Sequence, residues 1–199
     1  MNDVASRTQT TLLTAHKGVD LHAASALLVM RDRLEGGDRL ENLFRCEVHT
    51  FWGAPAGWDA ARLLDTGRFF NPNKHHFGIF RGPSSDDWSD STGPGAALAA
   101  GWPGAVEWTD LDALAADAAG LYGALLGGAV PAGCTPFDVV GFAFGQDGPV
   151  LSGVLWRLVL RAGAEEAAEL GTALAVARHR KQGLLINPHM ESWRLAARG

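Results

Sequence analysis

Lys74, His75 and His76 stand side by side in "FFNPNKHHFGIFR", directly after Asn73 and a turn. An ammonium beside two imidazoles can hold a phosphoryl group, and imidazoles can exchange protons near neutral pH. The pair enters a run that reads as a strand, where neighbouring side chains point to opposite faces. One pocket therefore receives at most one of the two rings. His49 is the other candidate, which makes His49, Lys74, His75 and His76 the catalytic set to be placed. A metal would need His49, His75 or His76, and His189 to converge from separate segments, and no HxxxH or HExxH spacing brings them together. No GxSxG context surrounds a serine, and no lysine completes a phosphate-binding glycine loop. Neither a metal nor a cofactor is expected.

The bulk numbers narrow the setting for that chemistry. A chain of 199 residues with 47% hydrophobic content makes one domain with an ample core. Twenty-five glycines and nine prolines imply many turns rather than long unbroken helices. The net charge of −5 steers the molecule toward neither nucleic acid nor anionic lipid. Arg178, Arg180 and Lys181 form a short basic run suited to the C-terminal end of a helix. Cys46 and Cys134 lack CxxC spacing and are expected to be reduced thiols. The start of the chain has no secretory pattern, and the most apolar stretch, "LDALAADAAGLYGALLGGAV", carries Asp112 and Asp117 and makes a poor membrane span. A cytoplasmic protein is the expectation.

The elements that must position the candidates can be read from periodicity. Residues 1–40 read as an N-terminal helical extension, with a helix capped by Asp20 and stopped at Gly36-Gly37. His16 and His22 fall here, as solvated or partly packed residues. Phe44, Cys46, Val48, Thr50 and Trp52 alternate with Arg45, Glu47, His49 and Phe51, the period of a half-buried strand. A short helix over 58–66 and a strand over 75–81 complete a first unit, 44–82. Residues 83–135 read as an insertion of loop and helix, with Trp88 and Trp102 in the loop suited to a protein contact. A strand near 137–145, turn chemistry at Asp147-Gly148, and a strand near 150–161 follow. In that last strand Val154, Trp156, Leu158 and Leu160 face one way and Arg157 and Arg161 the other. A helix over 164–182 and a final strand close a second unit, 137–197. Two strand–helix–strand units imply an α+β ferredoxin-like sandwich, with helices on one face of an antiparallel sheet.

Each unit has Asn-Pro before its last strand: Asn71-Pro72 and Asn187-Pro188. The residue before a proline is pushed out of helical conformation, and the proline cannot continue a helix ladder. The Asn side chain can bond backbone two residues onward. The pair is expected to stop a helix and launch a strand at a set angle.

"LLINPHME" resembles the terminal signature of the PurS family, the small subunit of phosphoribosylformylglycinamidine synthase, through Leu184, Leu185, Asn187, Pro188 and Glu191. The likeness extends over about residues 150–196, with its strand and Glu-rich helix. Residues 44–82 resemble a degenerate second copy, with His75 where Glu is expected. The Gly-Val and Asp-Pro-Gly features of the family's opening strand have no evident counterpart. The resemblance implies a non-catalytic protein that pairs as a dimer and bridges glutaminase and synthetase subunits in purine biosynthesis. Its expected partners are those subunits or further copies of itself in a homo-oligomer; a chain with two copies would mimic the dimer internally. The alternative is a small enzyme or sensor acting on a phosphorylated metabolite through Lys74, His75 or His76, and His49. "VHT" at His49 also resembles half of the paired motif of two-histidine phosphoesterases, whose second half is not supplied by "HHF" or "HME".

Overall fold

The computed structural model describes residues 8–52, 64, 67–83, 107–108, 130–143 and 150–196. Its strands are β1 (Thr8–His16), β2 (Leu40–Trp52), β3 (His75–Pro83), β4 (Glu107–Trp108), β5 (Thr135–Ala143), β6 (Val150–Leu160) and β7 (Glu191–Ala196). The described helices are α1 (Leu21–Arg33) and α2 (Ala164–Ala175), with one 3₁₀ turn at Gly37–Arg39. All strands join one sheet in the order β4-β3-β1-β2-β6-β5-β7, and every neighbouring pair is antiparallel.

This order reads as two matched halves, β3-β1-β2 and β6-β5-β7. β2 and β3 both run antiparallel to β1, so they are parallel to each other with β1 between them. β6 and β7 flank β5 in the same way. The result is the split strand–helix–strand arrangement on which ferredoxin-like folds are built. The expected α+β sandwich is therefore present, with one revision. Residues 8–16, read as part of an extension, are the middle strand of the first half. Its run "TQTTLLTAH" has the β-branched threonines that favour a pleated strand.

The register shows how closely the halves match. His16 pairs with His75, the first residue of β3, and Ala143 pairs with Glu191, the first residue of β7. Two residues earlier, Thr14 pairs with Glu47 and Gly141 with Val154. Glu47 and Val154 are thus counterparts, and in the central β2–β6 ladder they pair with each other. A ladder in which counterpart meets counterpart is what a two-fold axis generates.

Both helices feed one core. Met30 of α1 and Ala167, Leu174 and Ala175 of α2 pack with Leu43, Phe137, Val139 and Leu158 of the sheet. Asp20 caps α1 as expected, its carboxylate accepting from the His22 and Ala23 N–H groups. On the same sheet face a second cluster gathers Leu12, Phe51, Phe70 and Phe77 beside Leu64. Leu64 is helical, and the rest of the 58–66 helix expectation lies outside the described residues. So do the 109–128 helix, Trp88, Trp102 and the turn at Asp147-Gly148.

Two expectations are corrected by tertiary contacts. The 164–182 helix stops at Ala175, because the chain folds back on it. Leu185 and Ile186 N–H groups donate to the Ala175 carbonyl, and Ala177 N–H donates to the Ile186 carbonyl. Gly183 makes this reversal with φ +74°, where a Cβ would run into the Val176 carbonyl. Arg178, Arg180 and Lys181 therefore lie in the reversal rather than at a helix end. Arg157, read as facing away from the core, is 1% exposed. Its guanidinium grips Asp138 on the paired strand with two bonds of 2.6 Å. The face opposite the helices is buried too, through Leu13, Cys46, Val48, Val140 and Leu155, so β2 is covered on both sides.

Removing one partner of a buried ion pair strands the other charge away from water, at a cost of about 3–5 kcal/mol. Asp138→Ala should lose that much stability in urea denaturation. The double variant Asp138→Leu/Arg157→Met should recover most of it.

Candidate functional site

The two Asn-Pro joints share the same bonds. Asn73 N–H donates to Asn71 Oδ1 at 2.9 Å, and His189 N–H donates to Asn187 Oδ1 at 3.1 Å. Lys74 and His75 N–H groups donate to the Asn71 carbonyl, as Met190 and Glu191 N–H groups do to that of Asn187. The fourth residue onward returns a side chain to the asparagine N–H: His75 Nδ1 at 3.3 Å, or Glu191 Oε2 at 2.8 Å. The expected Asx-turns are formed, and Pro72 and Pro188 begin the turns that lead into β3 and β7. In the second half the helix has already ended at Ala175, so that joint starts a strand without stopping a helix.

A backbone N–H only donates, so His75 Nδ1 accepts and the ring proton sits on Nε2. The His75 ring meets His16 edge-on, with centroids 5.1 Å apart. Lys17 ties the end of β1 to the joint: its N–H donates to the Lys74 carbonyl and its ammonium to the Pro72 carbonyl, both at 2.8 Å. His76 pairs with Ala15 and takes the other face of β3, so the two adjacent rings are separated as strand geometry requires.

His49 is not brought to this group. It pairs with Leu12, four residues along β1 from His16, which is about 13 Å of strand. Its Nδ1 lies 2.9 Å from the Ser152 hydroxyl, and the Phe69 ring meets it at a tilt, with centroids 4.8 Å apart. Its Nε2 is buried with no hydrogen-bond partner among the described residues, 4.0 Å from Glu47 Oε2. Glu47 is held by Arg45 at 3.1 Å, and the same guanidinium reaches Asp20 at 3.5 Å and lies over Trp156. The Lys74–His75 and His49 candidates are thus two places on one sheet face. Between them runs a charged stripe of Asp20, Arg45 and Glu47, with buried Thr14 beside it.

Sequence reasoning missed His16, Lys17, Asp20, Arg45, Glu47 and Ser152 as neighbours of the candidates. The alternating charges of β2 were visible, but their partners on β1 were hidden once 1–40 was read as an extension. Among the described residues no group of three or more His, Cys, Asp or Glu converges as a metal site. No described helix is long and apolar enough to cross a membrane.

Burial holds His49 below its ordinary imidazole range, opposed by Glu47 and helped by Arg68. Burial likewise lowers His75, joined by His16, Lys74 and Arg45 and opposed by Glu47. A depressed imidazole leaves the unfolded chain binding more protons than the fold. Stability is therefore complete above the ordinary histidine value of about 6.5 and falls as pH drops through the lowered folded values. The melting midpoint should decline as the pH falls below about 6.5, and His49→Gln should flatten that decline. Because the joints share one geometry, Asn71→Ala and Asn187→Ala should each cost about 1 kcal/mol in denaturant titrations, with equal losses.

No family model matches the chain, and neither a curated protein nor a solved structure matches it.

Proposed function

We propose that the chain is a non-catalytic assembly protein of PurS-like design, in which two fused copies replace a pair of subunits. The observation that carries this reading is the bond-for-bond identity of the joints at Asn71 and Asn187, set in a sheet whose central ladder pairs counterpart with counterpart. The "LLINPHME" likeness supports it.

The surface suits protein contact. α1 turns Leu21, Leu28 and Val29 to solvent, with Leu184 and Met190 also exposed. Leu21 and Leu184 line a shallow groove together with Trp156. Exposed apolar side chains brought together as Leu21 and Leu184 are mark association surfaces. On this reading the partners are the glutaminase and synthetase subunits of a purine-biosynthetic amidotransferase.

Tagged chain co-expressed with those two subunits should retain both through purification. Leu28→Glu, at a position 68% exposed, should weaken the retention about tenfold without changing the melting midpoint. Failure of the wild-type chain to retain either subunit would overturn the reading.

A further inference from the structure

Arg178, Arg180 and Lys181 suit a helix end, but the helix closes at Ala175 and leaves them in the reversal that follows. Their pairing with a helix dipole is therefore gone. All three are exposed, as is His179 between them, and the three cationic side chains carry no hydrogen bond or ion pair among the described residues. Backbone bonds hold the turn in place instead. Arg178 N–H donates to the Gln182 carbonyl at 3.2 Å, Gln182 N–H to that of His179 at 3.0 Å, and Glu35 N–H to that of Lys181 at 3.3 Å. Lys181 N–H also donates to His179 Nδ1 at 3.4 Å, so the imidazole keeps an Nε2–H to give.

Two guanidiniums, an ammonium and an imidazole N–H thus share a four-residue turn, in a chain of net charge −5. Glu35 beside the turn offsets no more than one of the three charges, and Asp32 is held by Arg33. Donors on a backbone already fixed lose little freedom on meeting an anion. Nucleic acid does not fit, because its phosphates need a long basic strip and the negative remainder of the molecule repels a polyanion. An apolar site lies alongside. Residues 181–185 run back along α1, from Glu35 just past its end to Ser25 and Leu21 near its start. Leu184, three residues and no more than about 10 Å from Lys181, lines a groove with Leu21 and Trp156.

We propose that this basic turn and the groove beside it dock one acidic segment of a partner protein, its carboxylates on Arg178, Arg180 and Lys181 and an apolar side chain between Leu21 and Leu184. The spacing asks the segment for a carboxylate and an apolar anchor about 10 Å apart, two turns along a helix. The inference rests on the assembly reading and states what the partner must present.

The test titrates the full chain with each purified amidotransferase subunit and reads the affinity at low and at high salt. The wild type should bind one of them, more weakly as salt rises. Arg178→Gln/Arg180→Gln/Lys181→Gln should keep the melting midpoint, weaken binding about tenfold and remove most of the salt dependence. Arg178→Lys/Arg180→Lys, which keeps the charge, should retain most of the affinity. Should the triple variant melt early, Arg180→Gln alone should show a smaller loss of the same kind. Equal binding by a folded neutral variant overturns this proposal and leaves the assembly reading standing, whereas no binding by the wild type overturns both. A turn that instead shifts duplex DNA, or that holds two copies of this chain together, also overturns it.

Discussion

The architecture depends on the backbone ladder between β2 and β6. Every other strand reaches the sheet through one of these two, so the halves share a core only because this ladder holds. Its register also decides what lies near the dyad. Arg45, Glu47 and His49 fall on the helix-covered face, opposite Trp156, Val154 and Ser152. A slip of one residue would send those charges to the face occupied by Cys46 and Val48 and bring apolar side chains up in their place. The charged stripe therefore exists because the pairing of two central strands is exact in phase.

Much of the fold was legible because local chemistry and tertiary structure agree. Asn71 and Asn187 precede prolines, so their conformations were set before any contact was known, and both Asx-turns formed. The alternation in β2 announced a strand, and Asp20 announced the start of α1. Where the reading failed, distant partners decided. "AVARHR" after Leu174 has good helix formers, yet the return of Leu185 and Ile186 claims the Ala175 carbonyl that a longer helix would use. β1 has a fair strand pattern, but its place between β2 and β3 follows from pairing that no local window contains. Arg157 looked solvent-facing because its alternation was correct and its burial was not. A buried arginine shows itself only through the aspartate it meets on the neighbouring strand.

The same contrast separates the two candidate groups. Lys74 and His75 could be found from adjacency. His49 could be found from its type, but Ser152 lies in the other half of the chain, and only the β2–β6 register joins them. The two joints differ in what closes them: an imidazole at His75 beside Lys74 in one, a carboxylate at Glu191 beside Met190 in the other. One backbone device works with either closing group.

Cys46 sits in the middle of the central ladder, fully buried, and burial pushes its thiol far above the usual range. A thiol so shielded stays protonated and out of reach of electrophiles for as long as the strands around it remain joined. The sulfur thus reports the opening of whatever covers it: a slow reagent reads how often the strands around it are open, and a reagent faster than reclosing reads how quickly they open.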